Sequence, residues 1–177
     1  LILNKQAGVI CSNKDAEGRK SVFDFLPVNT RWVMVGRLDL NTSGLLLFTN
    51  NGDLANKLMH PSSEVDREYA VRVLGKVEDQ HINQLTSGIE LDDGFAKFHK
   101  VTFAGGDGAN RWYHVVVREG RKREVRRLWE ALEFKVSRLI RIRFGDIRLP
   151  DNLRANESEY LKPKQVQSLL NSVKLKA

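Results

Sequence analysis

The chain has 177 residues, 41% hydrophobic and 29% charged, with 13 glycines and 4 prolines. That balance suits one large domain or two intimate lobes and excludes disordered, collagenous and low-complexity chains. Its 29 Lys and Arg against 22 Asp and Glu leave a formal charge of +7, no window approaches the roughly 18 apolar residues of a membrane span, and the single Cys11 cannot close an intramolecular disulfide. A transmembrane or disulfide-stapled protein is thereby excluded, and the reducing cytoplasm is the default compartment, with a monomer the default state. The start at Leu1, without Met, reads as a fragment with something removed upstream.

In chain order, Leu1 to Asn4 and Val9 to Ser12 read as short strands around the turn Lys5-Gln6-Ala7-Gly8. Ser21 caps a short helix that runs to Phe25 and is ended by Pro27. Trp32 to Val35 and Leu45 to Thr49 are continuous apolar runs of strand length, expected to be central and buried. Asn50-Asn51-Gly52 opens an amphipathic helix from Asp53 to His60, closed by Pro61. Glu68 to Leu74 alternates as a strand with Tyr69, Val71 and Val73 on one face. Val77 to Ser87 reads as a helix ending at Gly88. Phe95 to Ala104 and Arg111 to Arg118 form a hairpin across Gly105-Gly106-Asp107-Gly108, which is no phosphate loop because no Gly-Lys-Ser/Thr follows. Arg123 to Glu133 is a helix with Val125, Leu128, Trp129 and Leu132 on one side. Val136 to Phe144 is a strand with Ile140, Ile142 and Phe144 on one face and Arg141 and Arg143 on the other. A last helix spans Pro163 to Val173. Strands in this order with scattered helices argue an α+β fold.

The charge is not spread evenly. Residues 111 to 148 hold twelve basic and five acidic residues, so the remainder is balanced and the whole positive excess sits in about a fifth of the chain. Such a localised field suits polyphosphate partners, and Trp112, Tyr113 and Trp129 in the same stretch are candidates for stacking, Trp129 more readily for the core. The plainer reading is a solvated helix face beside a strand.

Chemistry centres on the loop Gly36 to Gly44, which joins two buried runs and holds Asp39 near the sheet by its flanks Leu38 and Leu40. Thr42 and Ser43 can satisfy loop amides and leave the carboxylate facing a cleft. A capping role is the bland alternative for any such Asp. A nucleophilic carboxylate needs a cation to keep it ionised and oriented, and Arg126 is the leading partner. It stands about 100° from Val125 on the helix, so its head can bend inward while Arg123 and Arg127 face solvent or RNA. His60, His81, His99 and His114 are far apart without metal-ligand spacing, so no metal is expected. Cys11 reads as a small buried hydrophobe, Ser43 lacks a nucleophile elbow, and no second acid near Asp39 supports a glycosidase.

The stretch GRLDLNTSGLLLFTNNG, Gly36 to Gly52, closely resembles the catalytic motif of pseudouridine synthases that modify ribosomal RNA. Arg67 to Val71 resembles their second motif, with its active-site Tyr, and EGRKREVRRLWEALEFKVSRLIRIRFGDIRL, from Glu119, resembles their basic third region. Two departures stand out: Gln6 where members often carry Pro, and Arg123-Glu124 in place of the commoner His-Gln.

The resemblance implies the pseudouridine synthase fold, a central mixed and mostly antiparallel sheet with flanking helices and a catalytic cleft. Residues 1–177 would be the catalytic domain in two closely packed lobes, without the small RNA-binding domain that usually precedes it. It implies Asp39 as nucleophile, Tyr69 stacked on the target ring and Arg126 paired with the carboxylate. Arg37 would steady the loop or hold phosphate, and Lys122, Arg123, Arg127, Arg141 and Arg143 would contact the RNA backbone. The implied partner is ribosomal RNA, of the large subunit, with no cofactor and with the target uridine flipped out of its stack. A non-catalytic RNA-binding or ribosome-assembly protein of the same fold is the competing expectation.

Overall fold

The structure, a computed structural model, describes residues 1–12 and 17–175. In chain order the elements are β1 (Ile2–Lys5), a 3₁₀ turn (Val22–Phe25), β2 (Val33–Val35), β3 (Ser43–Thr49), α1 (Gly52–Met59), β4 (Arg67–Leu74), α2 (Asp79–Ser87), β5 (Ile89–Leu91) and β6 (Gly94–Ala96). There follow β7 (Lys100–Gly105), β8 (Asn110–Val117), α3 (Glu124–Ala131), β9 (Lys135–Phe144), β10 (Ile147–Arg148), β11 (Ser158–Glu159) and α4 (Pro163–Ser172). The main sheet runs β11-β1-β3-β9-β4-β8-β7, with β2 on β3 and β10 on β9. Only β3 and β9 are parallel, so the sheet is mixed and mostly antiparallel and the fold is α+β.

The apolar run of β3 is covered on both faces, which is why it does not alternate. Leu45 and Leu47 join Ile2, Leu54, Leu58, Leu169 and Leu170 beneath α1 and α4, while Leu46 and Phe48 join Leu3, Val9, Val22 and Leu38 on the other side. A third cluster lies under α2 and α3, where Leu128 and Trp129 meet Val71, Val73, Val115 and Phe98. Local chemistry sets the helix ends. Asn51 accepts the Leu54 amide at 3.1 Å to start α1, Ser21 forms a reciprocal cap with Asp24, and Pro163 occupies the first turn of α4.

Four expectations are corrected. Val9 to Ser12 forms no strand, only a bridge between Ile10 and Ser21, because both edges of β1 are taken by β3 and β11. Trp32 to Val35 is not a central strand: β2 pairs only with residues 47–49 of β3, whose same edge gives residues 43 and 44 to β9. The apolar stretch from Phe95 to Ala104 breaks in two, since β6 turns back on β5 and Phe98 plugs the third cluster while its amide donates to Leu85. In β9 the pairing with β4 slips by one residue at Ile142. This bulge reverses the alternation, so Phe144 shares a face with Arg141 and not with Ile140.

Candidate active site

Asp39 lies on the loop between β2 and β3, at the mouth of a cleft of about 480 Å³ walled by Tyr69, Arg67, Arg141, Phe144 and the segment ahead of α3. That volume accommodates a single small planar ligand with its substituents. The loop is held through its backbone. Lys5 Nζ, fully buried, donates to the carbonyls of Asp39 (3.1 Å), Leu40 (3.3 Å), Thr42 (2.7 Å) and Gln6 (3.2 Å). The Gly8 amide donates to Leu40 and the Leu38 amide to Cys11 Sγ, while Leu38 anchors the loop in the core. With its backbone engaged from below, the loop presents the Asp39 carboxylate, 32% exposed, to the cleft. Burial pushes the Lys5 ammonium below its ordinary value, and the charge of Asp39 opposes that shift.

The carboxylate's cation differs from the expected one. Arg123 Nη1 stands 3.9 Å from Asp39 Oδ2, whereas Arg126 Nη2 donates to Asn41 O at 3.0 Å and Thr42 Oγ1 at 3.4 Å. The reason is local: Arg123 precedes α3 in the left-handed conformation, φ 53°, which swings its side chain to the cleft, and Arg126, one turn on, reaches the loop beyond Asp39. Burial and the neighbouring Arg123 lower the Arg126 guanidinium from its usual value, and Asp39 counteracts them. Tyr69 projects from β4, opposite Arg141 of β9 and Val115 of β8, and its ring packs against two of the core clusters at the cleft wall.

The other basic candidates separate. Arg37 and Lys122 are exposed and line the cleft with Arg123. Arg141 does not face out: it is 3% exposed, donates to Leu45 O at 2.8 Å and lies over the Phe144 ring, as the bulge at Ile142 requires. Arg127 is bound bidentately by Asp93 at 2.8 and 3.0 Å, and Arg143 by Glu68 and Asp66. Neither lines the cleft.

Three features escaped the sequence. Lys5 reads there as a turn residue, although a Lys closing an apolar strand is a signal for a buried cation. Arg67 lies over Phe144 at 5.1 Å and donates to Val65 and Leu58 carbonyls. Glu124, 4% exposed, shares Arg121 with Glu119 at the cleft wall. Burial and Glu119 raise its carboxyl to about 7, with Arg121 opposing. Among the described residues no group of three or more His, Cys, Asp or Glu is arranged to hold a metal.

Comparison with known proteins places the chain in a family. Residues 1–131 match the RNA pseudouridylate synthase family. The chain is 60% identical over 151 residues to a Yersinia pestis protein named ribosomal large subunit pseudouridine synthase B, covering 84% of this chain and 48% of that one. It is 52% identical over 179 residues to the Haemophilus influenzae protein of the same name, covering 100% of this chain and 50% of the relative. The chain thus spans about half the length of the curated relatives it matches. A crystal structure described as a pseudouridylate synthase superimposes with a TM-score of 0.83 at 28% identity, covering 95% of this chain and 72% of that one.

Proposed function

This chain belongs to the RNA pseudouridylate synthase family, and from that premise we propose that it isomerises a uridine of large-subunit ribosomal RNA to pseudouridine, in the cytoplasm, with Asp39 as nucleophile. The observation that carries the reading is the Asp39 carboxylate, turned into a cleft by a loop whose carbonyls are bound by Lys5 and Arg126, with Arg123 beside it and Tyr69 on the wall. The names of the relatives supply the RNA class.

The chemistry follows from the groups present. The uridine leaves its stack, at a cost of about a few kcal/mol, offset by phosphate contacts from Arg37, Lys122 and Arg123. Asp39 forms a transient bond to the nucleoside, the bond from uracil N1 to the ribose C1′ breaks with its electron pair staying on N1, and the detached ring turns within the cleft, held against Tyr69. A bond from C5 to C1′ then forms, the bond to Asp39 breaks and frees its carboxylate, C5 loses its proton to solvent and N1 gains one, so composition is unchanged. Arg126 and Lys5 are positioning residues, since both grip the loop and neither touches the carboxylate.

The test is tritium release from ribosomal RNA carrying uridine labelled at C5. The wild-type chain releases tritium, and Asp39→Asn loses release while RNA binding persists. Equal release by both proteins refutes the nucleophile assignment, and no release by either leaves a non-catalytic RNA-binding protein.

A further inference from the structure

On the sheet face opposite the cleft, two guanidiniums share one indole. Arg72 of β4 lies between Trp112 of β8 and Arg138 of β9 in register, and the Arg72 and Arg138 guanidiniums stand 5.8 and 6.0 Å from the Trp112 ring centre. Alternation along β4 settles the side: Tyr69 and Val71 point to the cleft and its adjoining core, so Ala70 and Arg72 point away. On this second face α1 and α4 cover Leu45 and Leu47, but among the described residues no helix covers the strip around Trp112.

Neither Arg72 nor Arg138 forms an ion pair among the described residues, unlike Arg118, Arg121, Arg127 and Arg143. His114 stands beside Ala70, and Lys100 and Lys135 carry the same face to the ends of β7 and β9. Glu68, the one acid in these four strands, is taken by Arg143 and Arg148. Two like charges held side by side without a carboxylate cost free energy unless an anion comes between them. Arg72 Nε donates to Ser137 Oγ at 2.8 Å, and both guanidiniums lie within reach of the Trp112 ring, which leaves the Nη groups of both arginines as a paired donor set suited to phosphate oxygens.

We propose that the Arg72–Trp112–Arg138 strip is a second RNA-binding surface, which holds the phosphodiester backbone of RNA extending beyond the target nucleotide. It rests on the reading of the cleft as an RNA site, and gives a long RNA purchase on both faces of the sheet. Paired guanidiniums beside an indole suit phosphates with bases close by, and the salt slope measured on an RNA transcript decides between RNA and an acidic protein surface.

The test is the salt dependence of binding to two probes, a transcript of a large-subunit ribosomal RNA domain and a short uridine-containing single strand. Arg72→Gln/Arg138→Gln reduces the slope of log affinity against log salt for the transcript by about 2, and changes binding of the short strand less than about twofold. Arg138→Gln alone, at an exposed position, reduces the slope by about 1 and keeps the thermal unfolding midpoint of the wild type. An unchanged slope for the transcript, or equal loss for both probes, overturns the proposal. Tritium release by the double variant, measured beside Asp39→Asn, separates the two readings: the strip can fail while Asp39→Asn is still inactive, and Asp39 can fail while the slope still drops.

Discussion

Gly44 and Lys5 show how little tolerance surrounds the carboxylate loop. Gly44 adopts φ +111°, and a Cβ there would collide with the Arg141 backbone carbonyl, at one of the two residue pairs that join β3 to β9 in parallel. Gly44→Ala therefore forces the two strands apart, and the expected loss is about 2–4 kcal/mol of stability, read as a lowered denaturant midpoint at unchanged m-value. An unaffected midpoint would mean the contact relaxes freely. Lys5 acts on the same loop by different means. Its ammonium satisfies three loop carbonyls, at Asp39, Leu40 and Thr42, so removing it loosens the loop of the proposed nucleophile and leaves the side chains that line the cleft in place. By that logic Lys5→Met lowers turnover while RNA affinity stays within a few-fold.

The pH behaviour of helix α3 and the segment before it follows from one carboxyl. Glu124 begins the helix, and its burial and the neighbouring Glu119 raise its carboxyl to about 7 against an ordinary value of 4.5, with the Arg121 that both acids share opposing them. The folded state binds that proton more tightly than the unfolded chain, and stability from this source is complete below about 4.5 and is lost as pH rises towards 7. Glu124→Gln removes the titration, so the variant's melting temperature relative to wild type rises between pH 5 and pH 8; a fall over that interval would contradict the raised Glu124 carboxyl. The same element marks the limit of what the sequence displayed. The Asp39 loop, α1 and the apolar face of α3 were legible because their signals are local: a motif, a cap, a 3.6-residue period. Which arginine meets Asp39 depended on the left-handed backbone of Arg123, and the burial of Arg141 on a bulge at Ile142. Neither leaves a trace in composition or period, since each arises where one element is fitted against another.

At the scale of the molecule, the positive excess of residues 111 to 148 divides by function and does not form one patch. Arg123 and Lys122 face the cleft, Arg126 and Arg141 are buried as backbone donors, and Arg138 lies on the opposite face. Arg127 and Arg143 are spent on carboxylates that bind one element to another, Arg127 fastening α3 to the turn between β5 and β6 and Arg143 fastening β9 to Glu68 of β4. Formal charge therefore overstates the cations free to meet RNA. The two classes separate by mutation. Arg143→Gln breaks a half-buried pair whose partners are 17% and 15% exposed, and costs about 1–2 kcal/mol in stability with little change in the salt slope of RNA binding. Arg123→Gln, at an exposed cleft position, leaves stability within about 0.5 kcal/mol and lowers both RNA affinity and turnover. Melting temperature and salt-dependent binding measured on both variants decide the matter: if Arg143→Gln lowers the salt slope as much as Arg123→Gln does, the carboxylates do not withhold Arg143 from RNA and the division by function falls.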